Sequence, residues 1–186
     1  ESVPTHLLLP GKHSVANALA AAACALAVGV ALSDIAAGIK NFAGEKGRMQ
    51  IFSGPRNCAF VDDTYNANPG SVRAAIEYLS ERAGTRILVL GDLGELGESG
   101  PQMHRDIGRY AAQKGVSALW SYGALSAHAS ETFGGDGVNF PSKTALVEAL
   151  LKRLDANSVI LVKGSRSARM EEVVQRVLDA KDTSSC

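Results

Sequence analysis

The stretch Cys58-Ala-Phe-Val-Asp-Asp-Thr-Tyr-Asn-Ala-Asn-Pro-Gly-Ser71 passes from an apolar run through two carboxylates and an amide-rich elbow into a helical pattern. The apolar run indicates a buried strand, and Pro69-Gly-Ser71 opens the helix that follows. In open α/β sheets ligands bind where strands end, and the free N–H groups of a helix start attract anions. Asn, Pro, Gly and Ser are also ordinary turn and cap residues. The segment is therefore either a binding elbow or a plain turn.

Strand and helix patterns alternate along the rest of the chain. Strands are expected near residues 48–52, 58–61, 86–90, 118–122, 138–140 and 159–162, and helices near 71–82, 101–114, 125–132, 142–153 and 169–180. Ile87–Leu90 and Val159–Val162 are continuous apolar runs, which a sheet covered on both faces requires. The turn Gly54-Pro-Arg-Asn57 predicts a hairpin between the first two strands. The alternation predicts an α/β fold with a Rossmann-like, doubly wound, mostly parallel sheet that starts with a hairpin.

The first 46 residues have a different pattern. The short apolar run His6–Leu9 predicts a strand, and Ala-rich segments predict helices from Lys12 to about Val28 and from Leu32 to about Phe42. One strand and two helices are too little for a core of their own. We therefore expect residues 1–46 to end a larger domain that begins upstream, and residues 47–186 to form a complete second domain.

The composition argues against several classes of protein. Lys and Arg total 19, Asp and Glu total 19, and the formal net charge is zero, without basic blocks. A partner that is a nucleic acid or a membrane surface is therefore not expected. The apolar segment Val15–Leu32 is interrupted by Asn17 and Gly29, which favours a buried helix over a membrane span. Cys24 and Cys58 lie in apolar runs and are expected to be buried free thiols of a cytoplasmic protein.

Two more loops with charged groups follow predicted strands. Gly91–Glu98 has glycines at every third position, not the G-x-G-x-x-G of a dinucleotide site. This loop either holds an amine or a hydrated cation, or is a solvated acidic loop. Lys163–Arg169 is either a clamp for a carboxylate or phosphate, or a basic connection capped by serine. Acidic groups opposite basic ones suggest a zwitterionic ligand, such as an amino acid or a dipeptide.

Two histidines and one asparagine are further candidates for a functional role. His13 and Asn17 share one helical face, where Asn17 can bond a base edge with His13 beside it. The alternative is a capping histidine and a packed asparagine. His104, near the start of the helix behind the acidic loop, is expected at the surface. No residues have the spacing of a metal site, and the sequence contains no G-x-x-x-x-G-K-[ST] phosphate loop and no G-x-S-x-G elbow.

The order and spacing of these motifs resemble the Mur ligase family. The motifs are Leu9-Pro-Gly-Lys-His-Ser-Val-Ala-Asn-Ala-Leu-Ala-Ala21, Gly47-Arg48, Asp62-Asp-Thr-Tyr-Asn-Ala-Asn68, Gly91-Asp-Leu-Gly-Glu-Leu-Gly97 with His104, and Lys163-Gly-Ser-Arg-Ser167. The resemblance covers essentially the whole chain. It implies an ATP-dependent enzyme that attaches amino acids to UDP-N-acetylmuramoyl peptides in peptidoglycan synthesis, in the branch that adds a dipeptide.

The resemblance also implies a domain plan, cofactors and partners. Residues 1–46 would end the central ATPase domain, and residues 47–186 would be the C-terminal ligase domain, which is expected to close about Gly47-Arg48. The cofactors would be ATP and Mg, with the Mg ligands mainly upstream. The partners would be D-alanyl-D-alanine, UDP-N-acetylmuramoyl-tripeptide and the rest of its own chain. The chain alone is then expected to be inactive. The alternative is a non-catalytic α/β module that binds a nucleotide or an amino acid.

Site residues follow from the same resemblance. Cofactor binding is expected at Asn17 for adenine, with His13 beside it, at Arg48 for the phosphates and at Asp63 for the ribose. Substrate binding is expected at Tyr65, Asn66, Asn68, Lys163, Ser165 and Arg166, and no metal ligand is assigned. Replacing Asp63 by alanine in the full-length parent is expected to raise the ATP requirement strongly and to leave the C-terminal fold intact.

Overall fold

The computed structural model describes residues 2–183, without the side chains of residues 12, 13 and 181–183. The chain divides into two compact units, Glu1–Glu45 and Lys46–Cys186. Within the described residues, no helix has the length and apolar character needed to cross a membrane.

The first unit consists of two helices and an irregular segment. Helix α1 spans Lys12–Ala27 and α2 spans Leu32–Asn41. The predicted strand His6–Leu9 is wrong, because residues 2–8 carry no regular structure. A strand needs a neighbouring strand for its N–H and C=O groups, and the described residues of this unit contain none. Cys24, expected to be buried, is exposed. The assignment of this unit to a central ATPase domain stays a prediction.

The second unit alternates strands and helices as predicted. It contains six strands and five helices within the described residues: β1 Gln50–Ser53, β2 Ala59–Asp63, α3 Pro69–Ser80, β3 Thr85–Gly91, α4 Gly100–Gln113, β4 Ala118–Tyr122, α5 Ala127–Phe133, β5 Gly137–Asn139, α6 Lys143–Arg153, β6 Ser158–Lys163 and α7 Glu171–Thr183.

The six strands form one sheet in the order β1-β2-β6-β3-β4-β5. Only β1 and β2 pair antiparallel, as a hairpin, and the other neighbours are parallel. Strand β6 lies between β2 and β3, so Lys163 at its end faces Asp63 on one side and Leu90 on the other. The predicted Rossmann-like, mostly parallel sheet with an N-terminal hairpin is confirmed.

Helices cover both faces of the sheet. Helices α3, α4 and α5 pack with Leu88, Leu90 and Leu161, whereas α6 and α7 pack with the alternate residues Ile87 and Val89. The chain leaves β3 towards α4 on one face and leaves the neighbouring β6 towards α7 on the other. The loops after β3 and β6 therefore border the crevice in which sheets of this kind bind ligands.

An ion pair joins α6 and α7 near this edge of the sheet. Lys143 Nζ donates to Glu172 Oε2 at 3.1 Å and to the carbonyl of Arg169 at 2.9 Å. The hydrogen bond from Lys143 holds the pKa of Glu172 below its ordinary value, although partial burial opposes this shift. The stabilisation is therefore present above the ordinary glutamate pKa and is lost as the pH falls through the lowered pKa.

The variant Lys143→Met should raise the pKa of Glu172 back towards that of a free glutamate, about 4.3. An NMR pH titration that follows the Glu172 carboxyl carbon measures this change. An unchanged titration midpoint in the variant would mean that Lys143 does not stabilise the charged carboxylate.

Candidate functional site

The carboxyl end of β2 places Asp62 in the interior. Asp62 is 3% exposed, and its Oδ1 accepts hydrogen bonds from Thr64 N at 3.1 Å and Thr64 Oγ1 at 2.6 Å. The carboxylate thus satisfies the backbone where the strand turns. Asp62 therefore shapes the elbow, whereas the neighbouring carboxylate, Asp63, contacts Lys163 and Met49.

Asp63 and Lys163 form a buried ion pair between the ends of β2 and β6. Lys163 Nζ lies 2.6 Å from Asp63 Oδ2, and the two side chains are 3% and 13% exposed for lysine and aspartate respectively. The ammonium also donates to the Asn66 carbonyl at 2.9 Å and lies 3.4 Å from the Asp63 carbonyl. Asp63 Oδ1 accepts the Met49 N–H at 3.2 Å. Only a small part of this carboxylate therefore faces solvent.

Arg48 and Tyr65 form an exposed pair beside the ion pair. The Arg48 guanidinium carbon lies 4.4 Å from the centre of the Tyr65 ring, a cation–π distance. Tyr65 is 48% exposed, and its N–H donates to the Gly47 carbonyl at 2.9 Å. An exposed guanidinium with a fixed ring behind it can bind a phosphate or a carboxylate.

The two asparagines of the elbow make local backbone contacts. Asn68 caps α3, because its Oδ1 accepts the Ser71 N–H at 2.8 Å while Ser71 Oγ accepts the Asn68 N–H at 3.0 Å. Asn66 Oδ1 accepts the Ala67 N–H at 2.8 Å. The capping interpretation of the elbow thus holds for Asn68. A substrate role for either asparagine stays a prediction.

The loops after β3 and β6 are bonded to each other. Ser165 donates to the Asp92 carbonyl from its N–H at 3.0 Å and from its Oγ at 2.6 Å. Asp92 Oδ1 in turn accepts the N–H groups of Leu125 at 3.1 Å and Ser126 at 2.7 Å. A Cβ on Gly123 would lie 2.1 Å from Asp92 Oδ1, so glycine is required there. Asp92 therefore ties together the loops at three strand ends.

Arg166 differs from the two other basic-loop candidates in its exposure. Its side chain is 68% exposed and pairs with Glu171 Oε1 at 3.1 Å. Ser165 is 5% exposed and Lys163 is 2% exposed. Among these three residues, Arg166 presents its charged group to solvent.

His104 was predicted at the surface, and this prediction is wrong. The residue is fully buried, its Nε2 accepts the Leu93 N–H at 3.1 Å, and its Nδ1 donates to the Gly100 carbonyl at 2.7 Å. These partners assign the proton to Nδ1. The signal was present, because positions 104, 107, 108 and 111 share one helical face, which also carries Ile107 and Ala111. His104 pins the acidic loop to α4.

The predicted adenine residues belong to the first unit. Asn17 is exposed there, on α1. The side chain of His13 lies outside the described part of the structure. Their role in nucleotide binding stays a prediction, as do the roles of Arg48 and Asp63.

Among the side chains that the structure describes, no three of His, Cys, Asp or Glu lie together as a set that could hold a metal ion. For a nucleotide, the exposed Arg48 guanidinium is suited to a polyphosphate, whereas Asp63 offers an acceptor that is mostly covered.

The sheet, with charged groups gathered at its carboxyl edge, defines a doubly wound α/β ligand-binding domain. A family profile described as "Mur ligase, glutamate ligase domain" matches residues 47–166. The chain belongs to the Mur ligase family, and the resemblance stated from its motifs is confirmed.

Similar proteins carry one particular activity in their names. UDP-N-acetylmuramoyl-tripeptide–D-alanyl-D-alanine ligase of Escherichia coli K12 is 45% identical over 176 residues, which are 94% of this chain and 39% of that protein. The enzyme of the same name from Haemophilus influenzae is 41% identical over 91% of this chain and 38% of its own length. The chain thus spans less than two fifths of these curated relatives.

Two solved structures have a fold similar to that of this chain. MurF from Acinetobacter baumannii has a TM-score of 0.84 and 35% identity, over 94% of this chain and 39% of that one. MurF ligase from Thermotoga maritima, solved in complex with ADP, has a TM-score of 0.81, over 95% of this chain and 40% of its own. At 20% identity the second comparison shows the fold alone.

Proposed function

We propose that the chain is the C-terminal part of a cytoplasmic ATP-dependent ligase that adds D-alanyl-D-alanine to UDP-N-acetylmuramoyl-tripeptide in peptidoglycan synthesis. The observation that carries the proposal is the 45% identity to the Escherichia coli ligase over 94% of the chain, which includes residues of both units.

The proposed reaction has two steps. ATP phosphorylates the tripeptide carboxylate to give an acyl phosphate and ADP, and the dipeptide amine then displaces phosphate as the amide bond forms. Mg would be held by ligands mainly upstream of this chain, where it would neutralise charge on the phosphates of ATP. The chain's part is to bind and orient: Arg48 contacts the nucleotide phosphates, Asp63 the ribose, and Asn17 with His13 the adenine.

The elbow and the basic loop are proposed to face the dipeptide. Arg166 has the exposed guanidinium that a dipeptide carboxylate needs, and Ser165 holds the loop that carries it against the Asp92 carbonyl. Tyr65, Asn66 and Asn68 orient the elbow between the nucleotide and the dipeptide. Lys163 was predicted to contact the dipeptide carboxylate as well, but its ammonium also has three contacts within the protein.

A chimera tests the proposal. We expect the Escherichia coli ligase, with its matching C-terminal segment replaced by this chain, to release phosphate only with ATP, UDP-N-acetylmuramoyl-tripeptide and D-alanyl-D-alanine together. In that chimera Arg48→Ala should lower kcat/KM for ATP by about tenfold or more, because a charge-assisted phosphate contact is lost.

Arg82→Ala is the matched control. Arg82 also stacks on an aromatic ring, with its guanidinium carbon 4.6 Å from the Tyr78 ring centre, but it lies between α3 and the start of β3, away from the carboxyl ends of the strands. Its replacement should leave kcat/KM within about twofold. A folded chimera that binds nucleotide without forming product would contradict the ligase proposal and favour the binding-module alternative.

A further inference from the structure

Lys163 places a positive charge in the interior. An ammonium is costly to bury, and an apolar pair of similar volume is often at least as stable as a buried ion pair. The charge is nevertheless held at the centre of the sheet edge, with its donors directed to Asp63 and Asn66. A role in fixing geometry accounts for this arrangement.

The contact of Lys163 with Asp63 connects it to the backbone segment that carries Arg48. The Asp63 carboxylate that receives the ammonium at Oδ2 also accepts the Met49 N–H at Oδ1. The junction segment Gly47–Met49 is bent, with φ of +73° at Gly47 and +52° at Met49. A buried, non-glycine residue such as Met49 keeps a positive φ only where its surroundings enforce it. The Asp63 carboxylate supplies one such contact beside Arg48.

The second contact of Lys163 leads to Tyr65. The ammonium donates to the Asn66 carbonyl, which directly follows Tyr65 in the elbow. Tyr65 is in turn bonded through its N–H to the Gly47 carbonyl, at the start of the junction segment. One ammonium thus restrains the backbone on both sides of the Arg48–Tyr65 pair.

We infer that Lys163 is a positioning residue: through Asp63 and the Asn66 carbonyl it fixes the junction segment and the elbow, and so aims the Arg48 guanidinium. This inference rests on the proposed function for the ligand that Arg48 receives. The geometry itself is a property of this chain and is testable without any substrate.

Amide hydrogen exchange of the 186-residue chain tests the inference. In Lys163→Met, exchange at the Met49 and Tyr65 amides should accelerate by about tenfold or more relative to the Leu88 amide in the sheet centre. The Arg48 side-chain resonances should also lose the ring-current shift that the Tyr65 ring causes. Exchange of Met49 and Tyr65 that changes only in proportion to Leu88 overturns the inference.

Lys143→Met is the matched control. Lys143 also pairs with a carboxylate and a carbonyl, but it does so between α6 and α7, away from the elbow. It should leave both amides and the Arg48 resonances unchanged, and a change equal to that of Lys163→Met overturns the inference. If Lys163→Met does not fold, a measurement on the unmodified chain tests the inference instead. Its Lys163 ammonium should give a slowly exchanging ¹⁵N signal, and rapid exchange with water contradicts the burial on which the inference depends. These readouts use no nucleotide or peptide, so their failure is separate from failure of the ligase assay.

Discussion

Asp63→Ala should lower the free energy of unfolding of the second unit by about 3–5 kcal/mol, because it leaves the Lys163 ammonium buried without its carboxylate. The pair is nearly inaccessible, so solvent cannot replace the lost partner. The burial of this pair argues against the expectation that the variant leaves the fold intact. Urea unfolding followed by the fluorescence of the single tryptophan, Trp120 in β4, measures the change.

Two variants separate the buried charge from other causes. Asp63→Ala combined with Lys163→Met should recover a large part of the loss, since removing both charges leaves neither unpaired. Asp106→Ala removes a surface carboxylate that pairs with Arg109, and it should change stability little. If Asp63→Ala and Asp106→Ala were equally mild, the ion pair would not have the energetic weight that its burial implies.

Gly108→Ala should lower the free energy of unfolding by roughly 2–4 kcal/mol, although alanine is the better helix former by about 1 kcal/mol. A Cβ at this position in α4 would lie 2.1 Å from the Ala129 carbonyl oxygen and 2.5 Å from Thr132 Oγ1 in α5. The two helices would have to separate, and the Thr132 hydroxyl, which donates to the Arg105 carbonyl at 3.0 Å, would lose this contact. Thermal and urea unfolding both measure the effect.

Gly100→Ala is the control in the same helix. The nearest neighbours of the added Cβ would be the Leu125 and Leu96 side chains, at 3.6 Å or more, which is ordinary contact. This variant should be neutral or slightly stabilising. If Gly108→Ala were as stable as Gly100→Ala, the close approach of α4 and α5 would not limit the residue at position 108.

The local pattern predicted the elements and the hairpin of β1 with β2, but not which strands are neighbours in the parallel part of the sheet. The apolar run Val159–Val162 correctly indicated a strand covered on both faces, and α3 began only two residues earlier than expected because Asn68 caps it. Nothing in a short window specifies that β6 lies between β2 and β3. The run His6–Leu9 had strand-like residues but no neighbouring strand among the described residues of the first unit, and so the pattern failed there.

Side-chain positions at strand ends were predictable, but their contacts were not. Asp63 and Lys163 were both expected at the carboxyl edge, yet their pairing depends on the register of two strands a hundred residues apart. The polarity of His104 indicated a surface position, but the helical face that it shares with Ile107 and Ala111 is buried. Polar residues at predicted strand ends therefore indicate which side chains gather at the sheet edge more reliably than they indicate what those side chains contact.

The position of β6 in the sheet has a consequence for the order of events in folding. The strands on its two sides, β2 and β3, have no bond to each other and meet only through it. During synthesis from the N-terminus, β1–β2 and β3–β4–β5 therefore form two separate parts of the sheet. The edges of β2 and β3 stay unpaired until residues 158–163 have left the ribosome. A chain that stalls before this point exposes the unpaired edges of β2 and β3 at the same time, and unpaired strand edges favour aggregation.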